Sequence, residues 1–123
     1  MKPRPMKIFQ YPKCSTCRKA LRWLSEHQVA ADARDLVADR LSERELTDLW
    51  KRSGLPIAKF FNTSGVSYRQ GGFGVKLKTM SDAQAVKALA ADGKLVIRPI
   101  LDDGKHVVVG FNEDAYKKAV HAA

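Results

Sequence analysis

Alternation of apolar and polar positions divides this chain into short strands and amphipathic helices. Lys7-Ile8-Phe9-Gln10-Tyr11 has strand composition and is stopped by Pro12. Cys17, Ala20, Leu21 and Leu24 recur at helical spacing, so residues 15–27 read as an amphipathic helix. Residues 29–36 read as a second strand with weak alternation. Ser42-Glu43-Arg44-Glu45 is a capping box, with Leu41 and Leu46 placed as a hydrophobic staple. The helix it opens should end at Gly54, ahead of Pro56. A short helix over 57–62 and a glycine-rich loop over 65–74 follow. Ser81 with Gln84 forms a second capping box, opening a helix that buries Ala85, Val86, Leu89 and Ala90 and closes at Gly93. Leu95-Val96-Ile97 reads as a fully buried strand ending at Arg98-Pro99. Asp102-Asp103-Gly104-Lys105 is a hairpin turn into a strand over 106–109. Asn112 caps a last helix, with Glu113 and Asp114 in its first turn.

The order is strand, helix, strand, a helical stretch, then a hairpin and a helix. Such an order predicts an α/β fold with a mixed sheet flanked by helices. The first three elements require a parallel pair with a right-handed crossover, and the hairpin adds antiparallel strands. The helical stretch forms an insertion at about 41–93. With 123 residues and no repeat or long linker, one domain over 1–123 suffices.

Composition narrows the class. Apolar residues make up 45% of the chain and ten residues are aromatic, enough for a core without metal or disulfide staples. No apolar run approaches the roughly 18–20 residues of a membrane span. The start, Met1-Lys2-Pro3-Arg4-Pro5, is basic but precedes a mixed strand rather than an apolar run. A signal peptide is therefore not expected, and the cytoplasm is the expected location. Two cysteines three residues apart do not make a secreted disulfide framework; in a reducing compartment such a pair reads as chemistry.

Net charge is +9 and unevenly placed. Residues 1–25 carry seven Lys or Arg and no carboxylate, and residues 49–81 carry six, again with none. Such fields suit an oxyanion, an acidic protein surface or nucleic acid, and equally describe a solvated basic face. No recognition helix, zinc finger or aromatic RNA-binding motif accompanies the charge, so sequence-specific nucleic-acid binding is not expected.

Pro12-Lys13-Cys14-Ser15-Thr16-Cys17-Arg18-Lys19 carries the candidate chemistry. A thiolate is the nucleophile, and a free thiol with a pKa near ~8.5 is mostly protonated at neutral pH. Cys14 falls where unpaired helix N–H groups and the positive dipole end converge, beside Lys13, Arg18 and Lys19. Cys17, one turn deeper on the apolar stripe, can reach Cys14 to close a disulfide. On that reading Cys14 attacks and Cys17 resolves. The pair could also be half of a zinc site, but only His27, His106 and His121 remain, dispersed singly. A further alternative is two ordinary small buried residues, and redox chemistry is the favoured reading.

Arg98-Pro99 is the second constellation, since a charge at the end of a buried strand is unusual. One reading is an anion clamp facing Cys14, with a cis Pro99 shaping the floor of the site. The other is an arginine reaching solvent before an ordinary trans-proline.

With these residues in view, the chain resembles the arsenate reductase (ArsC) family, and more closely its Spx- and MgsR-like branch, from about residue 6 to 120. The likeness rests on Tyr11-Pro12-Lys13-Cys14-Ser15-Thr16-Cys17-Arg18-Lys19-Ala20 and Lys59-Phe60-Phe61-Asn62-Thr63-Ser64-Gly65. It continues through Leu77-Lys78-Thr79-Met80-Ser81, Ile97-Arg98-Pro99-Ile100 and Val109-Gly110-Phe111-Asn112-Glu113. The resemblance implies a thioredoxin-like fold with a helical insertion, a cis-proline after Arg98 and a catalytic cysteine at Cys14. In arsenate reductases that cysteine attacks arsenate, and the adduct is reduced with glutathione and glutaredoxin, or with thioredoxin. The glutaredoxin-linked enzymes hold the oxyanion with three arginines; the first falls here at Asn62 and the third near Gly110 or Phe111, leaving Arg98. They also lack a cysteine at the place of Cys17. In Spx, the C-x-x-C is an oxidation switch in a regulator that binds the C-terminal domain of the RNA polymerase α subunit. A gap-free register puts Pro56 where Spx has a glycine important for that contact.

The expectation is thus a thiol–disulfide oxidoreductase acting on arsenate or another oxidised substrate. Cys14, Cys17 and Arg98 would be catalytic, and Lys13, Ser15, Thr16, Arg18, Asn62 and Pro99 would bind substrate. No resident cofactor or metal is expected; electrons would come from glutathione with glutaredoxin, or from thioredoxin. The alternative is a redox-sensing transcriptional regulator that binds the RNA polymerase α subunit.

Overall fold

The first strand, β1 (Met6–Gln10), buries all but one of its residues and ends one position before Tyr11-Pro12. Helix α1 (Ser15–Glu26) follows, and then β2 (Ala31–Asp35), which pairs in parallel with β1. Next come α2 (Glu43–Ser53), a 3-10 turn (Ile57–Phe60), α3 (Val66–Gln70), α4 (Phe73–Lys76) and α5 (Asp82–Ala91). A 3-10 turn (Gly93–Leu95) leads to the hairpin of β3 (Ile100–Asp102) and β4 (Val107–Val109), and α6 (Glu113–Ala122) closes the chain. This computed structural model describes residues 6–122, and burial as far as residue 120. The basic start from Met1 to Pro5, with the signal-peptide reading made on it, lies outside the described residues, as does the side chain of His121.

The sheet has the order β2-β1-β3-β4. β3 runs antiparallel to β1, with Ile8 opposite Leu101, and β4 runs antiparallel to β3. This mixed sheet is the predicted α/β architecture. The chain falls into two units, one holding the sheet, α1 and α6, the other formed by Leu36–Ile97. The second unit is the helical insertion, slightly longer than expected.

In the sheet unit, Met6, Ile8, Ala20, Trp23, Leu24, Leu101, Tyr116 and Ala119 form one buried cluster. Trp23 takes a place on the buried stripe of α1, while Leu21 is only partly buried against it. In the other unit α2 packs on α5, burying Leu46, Leu49, Ala85, Val86 and Leu89. Both expected capping boxes are present: Ser42 with Glu45, and Ser81 with Gln84, each exchanging side-chain and backbone bonds. Ala90 is half-buried rather than buried.

Two local expectations are corrected. Leu95-Val96-Ile97 is not a strand. The Asp92 carboxylate accepts the Lys94 N–H at 3.0 Å and starts a 3-10 turn, and Val96 has one isolated bridge, to Phe61. Leu95 and Val96 are buried and Ile97 is half-buried, and the run exchanges backbone bonds with Phe60 and Asn62 across that bridge; the strand begins after Pro99 instead. Nor is the stretch from Gly65 to Gly74 a loop. Gly65 and Gly72 stand at the N-termini of α3 and α4, and the rings of Phe61, Tyr68 and Phe73 pack together to hold both helices.

Candidate active site

The turn between β1 and α1 sets the geometry of the two sulfurs. Cys14 donates its N–H to the Tyr11 carbonyl at 2.9 Å and takes an extended conformation as N-cap of α1. Its side chain then does what a serine or aspartate does at such a position: Sγ accepts the Cys17 N–H at 3.2 Å. The sulfur therefore lies at the positive end of a twelve-residue helix with no acidic residue in its first turn. Cys14 is half-buried, Cys17 is wholly buried, and both are free thiols.

Burial pushes the Cys17 thiol up to about 12, and its hydrogen bond to the Cys14 side chain reinforces the shift. A backbone hydrogen bond at Tyr11 and the Arg98 charge act in the opposite direction, while charge on Cys14 raises Cys17 further. Cys17 is thus a thiol at rest, and its ionisation depends on the state of its neighbour.

Arg98 precedes a cis peptide bond to Pro99. Arg98 is half-buried and its guanidinium lies over the Tyr11 ring, 5.0 Å from the centroid, so the cation stands beside the turn that carries Cys14. Pro99 is buried, and its carbonyl accepts the Gly110 N–H at 2.8 Å. The Gly110 carbonyl in turn accepts the Tyr116 hydroxyl at 3.1 Å. Burial, then charge on Cys17, holds the Tyr116 phenol above its usual range.

Cys14, Cys17, Arg98 and Pro99 therefore belong to one neighbourhood, built on Tyr11. Lys13, Ser15, Thr16 and Arg18 are exposed around the start of α1, with Arg18 reaching the Pro12 carbonyl at 3.5 Å. Asn62 belongs to the other unit, where its N–H donates to Leu95. Sequence reading assigned no role to Tyr11 or Tyr116. An aromatic directly before the Pro-x-Cys turn, and a phenol on the apolar side of the last helix, were the available signals. Among the described residues no group of three His, Cys, Asp or Glu could hold a metal ion. His27 stacks on Trp23, and His106 pairs with Asp103.

Residues 9–119 match the sequence model of the ArsC family. The chain belongs to the ArsC family. Protein YusI of Bacillus subtilis is 43% identical over 111 residues, covering 90% of this chain and 94% of its own. The global transcriptional regulator Spx 2 of Lactococcus lactis is 30% identical over 107 residues, covering 87% and 80% respectively. The crystal structure of a Streptococcus mutans protein described as "a possible arsenate reductase" superposes with a TM-score of 0.83 at 36% identity, covering 94% of this chain and 99% of that one. The mixed sheet with its helical insertion is accordingly the thioredoxin-like fold of the ArsC family.

Proposed function

We propose that this ArsC-family chain is a thiol–disulfide oxidoreductase with Cys14 as nucleophile and Cys17 as resolving thiol. The observation that carries the reading is the Cys17 N–H aimed at Cys14 Sγ over 3.2 Å. That donor and the helix end suit a sulfur that carries negative charge while the second sulfur waits within reach.

The chemistry runs in two displacements. The Cys14 thiolate attacks a sulfur of an oxidised substrate; an S–S bond forms, and the other substrate thiolate leaves with the electron pair. Cys17 then loses its proton to solvent and attacks Cys14 Sγ, expelling the remaining substrate thiolate and leaving a Cys14–Cys17 disulfide. Two electrons have passed to the substrate. Glutathione with glutaredoxin, or thioredoxin, returns two electrons and two protons. With arsenate, Cys14 displaces hydroxide from pentavalent arsenic. Attack by Cys17 on Cys14 Sγ then breaks the S–As bond and leaves its electron pair on arsenic, releasing arsenite.

Charge explains the order of events. Two of the influences that raise Cys17, the hydrogen bond and the charge, come from Cys14, while Tyr11 and Arg98 favour its ionisation. Once Cys14 is bound in a mixed disulfide its charge is gone, and the lowering influences remain. Arg98 supplies the cation for an anionic substrate, with the backbone N–H groups of Ser15 and Thr16 in the first turn of α1 and the flanking side chains of Lys13, Ser15, Thr16 and Arg18. Asn62 stands where the glutaredoxin-linked enzymes have an arginine, so oxyanion binding should rest mainly on Arg98. Nothing in this scheme requires a resident cofactor, and the chemistry suits the cytoplasm.

The test is stoichiometric. Wild-type protein given an aromatic disulfide should release two aromatic thiolates per chain and end with an intramolecular disulfide by intact mass. Cys17→Ser should release one and retain the adduct. A Cys14→Ser protein reacting as fast as wild type would end the assignment. Arsenate reduction assayed with each donor system then identifies the substrate and reductant.

The 30% identity to Spx 2 favours a second reading, a redox switch that binds the RNA polymerase α C-terminal domain and turns nothing over. Capture of that domain by one redox form only, without turnover by either donor system, would establish it.

A further inference from the structure

Tyr116 is wholly buried, and its hydroxyl donates to the Gly110 carbonyl at 3.1 Å. Trp23 and Phe111 meet its ring edge-on, with centroids 5.7 and 5.0 Å away, so the ring is fixed. Gly110, at φ 81°, adopts the left-handed conformation in which its N–H reaches the Pro99 carbonyl over 2.8 Å while its own carbonyl receives Tyr116. Arg98 immediately precedes Pro99 and lies over Tyr11, whose carbonyl accepts the Cys14 N–H. One unbroken path thus leads from α6, through two hydrogen bonds and a stacked cation, to the turn that holds the reactive sulfur. Packing alone would need only the ring: phenylalanine fills nearly the same volume and leaves no buried hydroxyl to satisfy.

We propose that Tyr116 is a positioning residue for anionic substrates, fixing through Gly110 and Pro99 where the Arg98 cation stands beside the two cysteines. The inference rests on the reading of Cys14 as nucleophile and Arg98 as anion clamp. Tyr116 does not touch the substrate; it sets the placement of a charge. Its loss should therefore alter discrimination between charged and uncharged substrates more than it alters the reaction itself.

The experiment compares two aromatic disulfides, the dianionic disulfide of nitrobenzoate and the uncharged dipyridyl disulfide, by the rate of the first thiolate release. Arg98→Met should lower the anionic-to-neutral rate ratio about tenfold, as loss of one charged contact does. Tyr116→Phe should lower the same ratio about threefold, and the double variant should fall no further than Arg98→Met, because both act on one group. Fluorotyrosine at position 116 keeps the shape and strengthens the donor, so the ratio should stay at or above that of wild type. It also supplies the answer if Tyr116→Phe fails to fold. A Tyr116→Phe protein that slows both disulfides equally, or a ratio that falls with fluorotyrosine, would overturn the positioning role while leaving the clamp intact. An unchanged ratio in Arg98→Met, or undiminished reaction of Cys14→Ser, would instead remove the underlying reading and this inference with it.

Discussion

The Cys17 backbone N–H donates to Cys14 Sγ, so the candidate nucleophile is also the N-cap of the helix behind it. Structure and chemistry can be separated at this one atom. Cys14→Ala should cost about 1 kcal/mol of stability by removing the cap, while Cys14→Ser, which restores an acceptor, should cost less. Both should abolish thiol reactivity at this position. Urea midpoints that fail to rank wild type and Cys14→Ser above Cys14→Ala would show that the cap carries no weight.

Cys17 should become easier to ionise once the Cys14 side chain is removed. In Cys14→Ala the hydrogen bond and the charge that raise it are both gone, and its titration should move down from about 12, although burial keeps it above an ordinary thiol. Thiolate absorbance followed against pH reads this directly. In wild-type protein a raised folded-state value means the neutral thiol is preferred on folding. Stability is then fully present below the unfolded thiol range and falls as pH rises toward the folded value, so the protein should weaken in mild alkali.

The acid side is set in the hairpin. The buried Asp103 carboxylate accepts the N–H groups of Lys105 at 2.8 Å and His106 at 2.5 Å, and the His106 ring at 3.2 Å. Burial alone would raise it, but these bonds together hold it below the usual carboxylate range. A depressed folded-state value contributes stability above the unfolded carboxylate range, and this is lost as pH falls through the folded one. Asp103→Asn should therefore be less stable than wild type at neutral pH, with the gap closing in acid. A gap independent of pH would refute the electrostatic origin.

Gly93 tolerates no side chain. A Cβ there would run into the Leu36 carbonyl oxygen and stand 3.0 Å from the Val37 Cα, and both are backbone atoms that cannot rotate aside. Gly93→Ala should destabilise by about 2 kcal/mol or more, at the upper end of overpacking costs. Gly54→Ala meets open space but sits at φ 71°, so it should lose less, through backbone strain alone. Thermal melts of the two variants rank them.

What the sequence made legible was local. The capping boxes at Ser42 and Ser81, the strand stopped by Pro12 and the Cys14–Cys17 spacing each follow from groups within four positions of one another. The apolar run Leu95-Val96-Ile97 was misread because burial in a bridge and burial in a strand look alike in a three-residue window. The two short helices after Gly65 were missed because glycine marks the start of each as readily as a loop, and the aromatic packing that secures them is tertiary. In the site, the sulfur pair could be found from spacing alone. The stacking of Arg98 on Tyr11 and the bonds from Tyr116 to Gly110 and onward to Pro99 join distant parts of the chain, and no periodicity announces them.

The pairing of Ile8 with Leu101 has a consequence for how the molecule is made. The central strand is translated first, and its antiparallel neighbour follows only after the crossover helix, β2 and the whole helical insertion. Until that later segment is translated, the sheet has no third strand and the turn that carries Cys14 has no Arg98 over Tyr11. Completion of the sheet must await that later segment and close the long loop between the two strands, which favours slow assembly over folding in step with translation.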